Sequence, residues 1–200
     1  MTTLHLGILA SHGGSNMQAI IDACKAGRLD AKPCVVISNN SESMALQRAR
    51  TEEIPWHHIS SRTHPGDAED REILRVLRLH GVDTVILAGY MKKLGPATLA
   101  AFRWRILNIH PALLPKFGGQ GMYGRHVHEA VLAAGEPVTG VSVHVIDEHY
   151  DTGPILNQCR VPVEAGDTVE TLSARVLTHE HRLYVETLQM ISEGKIVLGE

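Results

Sequence analysis

Cysteine is sparse and scattered in this 200-residue chain: Cys24, Cys34 and Cys159 share no CxxC spacing. That argues against a disulfide framework and a cysteine zinc site, and for a reducing compartment. No apolar run approaches the ~20 residues that span a bilayer. The start, Met1-Thr2-Thr3-Leu4, has no charged region leading into an apolar core, so no signal peptide is expected. An excess of one charge is missing too. The 19 Lys and Arg against 22 Asp and Glu leave a net charge of -3, which gives no field to gather nucleic acid or a membrane surface. These absences predict a cytoplasmic protein with small-molecule partners, no nucleic acid and no membrane, working as a monomer or homodimer. Two phosphate signatures are also absent from the first glycine loop, 11–16: it carries no GxGxxG, and no Gly-Lys-Ser/Thr follows it.

What is present suits one domain over residues 1–200, with 44% hydrophobic residues and enough length to bury a core without staples. The 13 histidines include His126/His128 and His179/His181. On a helix i and i+2 diverge, so neither pair shares a metal, and no metal is expected.

Apolar strand-like stretches alternate with helical ones: 4–10, 34–38, 55–59, 82–88 and 105–109 against 17–24, 43–50, 68–80, 95–102 and 126–134. That alternation predicts an α/β fold, a doubly wound, Rossmann-like and mainly parallel sheet. From Val138 the pattern changes to strict alternation, with Val141, Val143 and Val145 on one face and Ser142 and His144 on the other. A returning strand at 155–163 makes this an antiparallel C-terminal extension. Asp167-Thr168-Val169-Glu170 then reads as a capping box opening a long C-terminal helix. Ligands of such sheets sit beyond the strands' carboxyl ends, which gathers the loops 11–16, 89–94 and 108–115 on one edge.

Three features of that edge carry chemistry. Ser11-His12-Gly13-Gly14-Ser15-Asn16 joins a strand to a helix start, with Ser15 or Asn16 suited to the N-cap. Free N–H groups there suit a phosphate, and a tight turn that merely needs glycine reads equally well. Asn108 and His110, two apart at the end of a strand and before Pro111 and Pro115, leave one face together. The loop Phe117–Gly124 holds four glycines in eight residues and is either ligand-adaptive or a plain connector. Asp147, Glu148 and Asp151 share a loop from which an acid can reach a neighbouring imidazole.

Taken together, the 13–16 loop, Asn108-Ile109-His110-Pro111, Leu113-Leu114-Pro115 and Asp151-Thr152-Gly153-Pro154 resemble the phosphoribosylglycinamide formyltransferases, a folate-dependent formyltransferase family. The resemblance runs in order from residue 4 to about 190. It implies formyl transfer from 10-formyltetrahydrofolate, a co-substrate, to the amine of glycinamide ribonucleotide in purine synthesis, without a metal. It implies catalytic roles for Asn108, His110 and Asp151, with Asp151 raising the pKa of His110, and supporting roles for Ser142 and His144, which are placed to hold a water. Gly13, Gly14, Ser15 and Asn16 are implied to hold the substrate phosphate, and Glu180 its ribose hydroxyls or amine. The folate is implied to lie against the backbone of Met91, Lys92, Lys93 and Leu94 and against Asp147, Glu148, His149 and Tyr150. Residues 1–105 then form the phosphate and substrate half, and 106–200 the catalytic and folate half.

Three positions depart from the family pattern. His12 stands where a glycine is expected, which strains the loop if that position needs a positive φ. Gly66 aligns with an arginine near the folate tail, where Arg62 is a substitute. The 118–125 loop is longer than in many relatives. The competing readings are a formyltetrahydrofolate hydrolase, the catalytic part of a methionyl-tRNA formyltransferase, and a non-catalytic phosphate-ligand binding domain.

Overall fold

A computed structural model describes residues 2–147 and 151–199. Seven strands form one sheet among the described residues: β1 (Leu4–Leu9), β2 (Ala31–Ser38), β3 (Trp56–His58), β4 (Thr84–Leu87), β5 (Ile106–His110), β6 (Val138–Val145) and β7 (Ile155–Pro162). Their order is β3-β2-β1-β4-β5-β6-β7. The first five pair in parallel, while β5–β6 and β6–β7 are antiparallel. The helices are α1 (Ser15–Lys25), α2 (Met44–Thr51), α3 (Ala68–Leu79), α4 (Pro96–Ala101), α5 (Arg125–Ala133) and the 24-residue α6 (Val169–Ser192).

The period of two along each strand divides the core between the sheet's faces. Leu4, Leu6, Ile8, Ile86, Leu107 and Ile109 pack with α1, α2 and α6 on one face. Leu9, Val85, Leu87 and Ile106 pack with α3 and Phe102 on the other. Asn108 and His110 share the parity of Ile106, so both leave toward the second face, at the carboxyl end of β5. The chain moves outward from β1 to β2 and β3 and then returns to β4, so the switch in winding lies between β1 and β4. The loops after β1, β4 and β5 meet beside it.

Two local expectations are corrected. The N-cap of α1 is Gly14 rather than Ser15 or Asn16: it has φ 68, and a Cβ there would lie 3.0 Å from Cα and Cβ of Ala45. The Asn16 side chain is engaged elsewhere, with Glu180. The α6 capping box is closed by Thr168 and Thr171. Asp167 instead binds Arg175 at 2.6 and 2.8 Å and accepts the Glu164 N–H.

α6 also holds the strand ends from below. Tyr184 is fully buried, and its hydroxyl donates to the Leu107 carbonyl at 2.9 Å, with the Leu87 carbonyl at 3.3 Å. Leu87 ends β4, and Leu107 is next to the last β4–β5 pair, Leu87 with Asn108. Tyr184→Phe keeps the ring and strands these carbonyls. A stability loss of about 1–3 kcal/mol is expected in urea unfolding, and an unchanged midpoint would contradict this bridging role.

Candidate active site

The loops after β1 and β4 are joined by one hydroxyl. Ser11 Oγ donates to Asn39 Oδ1 at 2.6 Å and accepts the Met91 N–H at 2.8 Å, while the Ser11 N–H donates to the Gly89 carbonyl. Sequence reasoning gave Ser11 no role of its own; its place at the head of the glycine loop was the available signal. His12 is not among the non-glycine residues with positive φ, so it fits the loop without strain. Its carbonyl accepts the Ala45 N–H, and Arg48 Nε donates to the Gly13 carbonyl at 3.0 Å.

A cleft of about 540 Å³ opens at this edge, lined by Asn16, Gly89–Lys92, Asn108–Pro111, Gly119–Gly124, Asp151 and Glu180. A narrower cavity of about 100 Å³ shares Tyr90, Lys92, Asn108 and Asp151 with it and adds Lys93, Leu94, Leu99, Ile146 and Asp147. Of the expected site residues, Asn16, Met91, Lys92, Asn108, His110, Asp151 and Glu180 thus line the cleft, and Lys93, Leu94 and Asp147 the adjoining cavity. Gly13, Gly14 and Ser15 line neither. Glu148, His149 and Tyr150 lie outside the described residues.

Asn108, His110, His144 and Asp151 form one cluster. The antiparallel register sets Asn108 opposite His144 and His110 opposite Ser142. His144, fully buried, donates Nδ1–H to the Val145 carbonyl at 3.2 Å. Its Nε2 stands 3.1 Å from Asn108 Nδ2 and 3.4 Å from Asp151 Oδ1. Asn108 Nδ2 carries two amide protons, so a contact with His144 Nε2 leaves one of them for another acceptor. His110 donates Nε2–H to the Phe117 carbonyl at 2.8 Å and turns Nδ1 toward Asp151 Oδ2 at 3.7 Å. Asp151 Oδ2 also accepts the Gly119 N–H at 2.9 Å.

The glycine loop therefore holds two of the four side chains, a role composition alone did not reveal. Phe117 and Asp151 both sit at φ 55. Such a backbone costs a bulky residue about 1–2 kcal/mol, so the surrounding bonds must enforce it. Gly118 passes where a Cβ would come within 2.5 Å of Leu114 Cδ2 and 3.2 Å of Asp151 Cβ.

The electrostatics correct one expectation. Burial pushes the His110 pKa down and outweighs the upward pull of Asp151 and of the Phe117 carbonyl, so the net shift is below the ordinary histidine value, not above it. Burial raises the Asp151 carboxyl, but His144, His110 and the Gly119 N–H outweigh it and hold the group below the usual range. At neutral pH the pair is a neutral imidazole beside a carboxylate. Glu180 is the opposite case: desolvation lifts its pKa, partly offset by Asn16 Nδ2 donating to Oε2 at 2.7 Å. Asn16 Oδ1 is buried without a partner.

Ser142 works behind the cluster. Its hydroxyl donates to the Ala112 carbonyl at 2.7 Å and accepts from the Leu114 N–H and from Gln158 Nε2. It braces the proline-bounded loop that follows His110.

The family model for formyl transferases matches residues 5–188. The chain belongs to the formyl transferase family. Among curated relatives of this family member, the chloroplastic phosphoribosylglycinamide formyltransferase of Vigna unguiculata is 45% identical over 96% of this chain and 62% of its own length. The Escherichia coli phosphoribosylglycinamide formyltransferase is 38% identical over 98% of this chain and 91% of its own. The chain spans about three fifths of the Vigna relative and nearly all of the bacterial one. A crystal structure of glycinamide ribonucleotide transformylase 1 from Symbiobacterium toebii superposes with a TM-score of 0.92, at 40% identity over 98% of this chain and 91% of that one. In this family member, no group of three or more His, Cys, Asp or Glu among the described residues is arranged to hold a metal ion. No helix of the described residues is long and apolar enough to cross a membrane.

Proposed function

We propose that the protein transfers the formyl group of 10-formyltetrahydrofolate to the amine of 5-phosphoribosylglycinamide, a step of purine biosynthesis. The observation that carries this reading is the joined cluster of Asn108, His110, His144 and Asp151 at the floor of the cleft, in a chain whose relatives bear that name. The cleft lining among the described residues has no serine or cysteine. The reading makes the substrate's own amine the nucleophile.

The charge states order the steps. The amine reaches the site as an ammonium and must lose a proton, and neutral His110, directly or through water, is the base available. The freed nitrogen attacks the formyl carbon, forming the new C–N bond and a tetrahedral oxyanion. The second amide proton of Asn108 donates to that oxygen. The imidazolium on His110 now faces the Asp151 carboxylate, which stabilises it until the proton passes to the folate nitrogen as its bond to carbon breaks; the extra proton still on the attacking nitrogen leaves to solvent, which gives the neutral amide. Asp151 thus acts on the charged intermediate, not by charging His110 beforehand.

The same reading assigns the binding roles. The start of α1 at Gly14–Asn16 offers N–H groups without i−4 partners to the substrate phosphate. Asn16 Oδ1 and Glu180 accept from its hydroxyls or amine. The pteridine is assigned to the cavity between Met91–Leu94 and Asp147, where backbone donors and acceptors match its edge. Both halves of the chain serve both ligands, since Met91–Leu94 precede residue 106 and Glu180 follows it. The three free cysteines, Cys24, Cys34 and Cys159, suit a cytoplasmic setting.

The test is absorbance turnover of 10-formyltetrahydrofolate with and without the ribonucleotide amine. Turnover that requires the amine is expected. Turnover without it would mean a hydrolase, and none in either case a binding domain.

A further inference from the structure

At the sheet edge formed by β3, outside the cleft lining, two imidazoles meet head to head. His57 belongs to the edge strand β3, and His80 is the C-cap of α3. Their Nε2 atoms are 3.4 Å apart, and the ring planes are inclined at 63°. The ring centroids are 5.5 Å apart, only 2.1 Å more than the nitrogens (5.5 minus 3.4), so both Nε2 atoms lie on the facing sides of the rings. Both residues are half-buried.

A single N–H···N bond explains this contact when both rings are neutral. The same spacing suits an ion between them. With metal–nitrogen bonds of about 2.0–2.1 Å, two ligands of a tetrahedral ion lie about 3.3–3.4 Å from each other. We propose that His57 and His80 form a two-nitrogen site for a borderline divalent ion of the zinc, copper or nickel class, which clips the edge strand β3 to the end of α3. Imidazole nitrogen selects these ions over magnesium and calcium, which demand oxygen ligands.

The surroundings favour the neutral form of His57. Burial, then His80 and Arg75, hold the His57 pKa below its ordinary value, with Glu72 opposing. Glu72 also lies within electrostatic reach of His64, but both its oxygens are bound by Arg75 at 2.7 Å. The remaining coordination positions therefore belong to water, consistent with no three-ligand group among the described residues. Such a site binds modestly and weakens as falling pH protonates the imidazoles.

The test is calorimetric titration of the intact protein with ZnCl2, NiCl2 and CuCl2, with MgCl2 as control, alongside His57→Ala and His80→Ala. One saturable site for a transition ion is expected, about tenfold or more weaker in either variant. The Cu2+ electron paramagnetic spectrum should show coupling to two imidazole nitrogens. No saturable binding, or binding unchanged in both variants, would overturn the proposal; the latter places the ion at another histidine cluster such as His110 and His144. Circular dichroism confirms that each variant folds without metal, and His57→Gln and His80→Gln replace any that does not.

Discussion

Replacing Asp151 by Asn lowers kcat/KM by about 10²–10⁴-fold, with the acid limb of its pH profile moved to lower pH. The substitution keeps size and hydrogen-bonding capacity and removes only the charge. In the wild type, Asp151 and the Phe117 carbonyl are the influences that raise the His110 pKa against burial. Without the carboxylate, burial is less opposed, so His110 protonates at a lower pH than before. The neutral base persists further into acid, yet the imidazolium formed during reaction loses the partner 3.7 Å from Nδ1. Rate falls because the charged intermediate is no longer stabilised, while the ground-state base is easier to keep. A purely structural Asp151 would lower activity only as far as it lowers the folded fraction, with the profile in place. The pH dependence of kcat/KM for both proteins decides, and an unshifted acid limb removes Asp151 from the chemistry.

Asn108→Ala is the second large effect: kcat falls by about 10²–10³-fold with KM for either substrate nearly unchanged. The expected oxyanion donor is the amide proton that His144 does not use. It acts only once negative charge develops on the formyl oxygen, so its loss spares ground-state binding. The substitution also leaves His144 Nε2 without its amide donor, which adds about 1–3 kcal/mol of destabilisation in urea unfolding. Those two readouts separate cleanly. A raised KM with kcat intact would place Asn108 in substrate binding instead.

Which parts of this site were legible in the sequence follows from which interactions are local. Asn108 and His110 needed only the strand period of two, and β5 places both on one face. The antiparallel extension was written in the alternation of Val141, Val143 and Val145. The start of α6 was located but its box misassigned, because Asp167 had a distant competitor in Arg175. The contacts that complete the cluster are distant in sequence or run through backbone. Asn16 and Glu180 lie 164 positions apart, and Ser11 and Met91 lie 80 apart. Phe117 acts on His110 by a carbonyl, and Gly119 on Asp151 by an N–H, so side-chain identity carries no trace of either contact. The direction of the His110 shift was missed for a similar reason. A neighbouring acid can be guessed from a motif, but the desolvation that outweighs it depends on how the whole loop closes over the ring.

The most direct test is a single turnover in which a labelled formyl group on 10-formyltetrahydrofolate is followed, with enzyme in excess over folate and 5-phosphoribosylglycinamide present. Direct attack by the substrate amine predicts that the label passes from folate to the ribonucleotide product, with none bound to protein and none released as formate. Label on the protein would contradict direct attack, and label in formate would make water the acceptor.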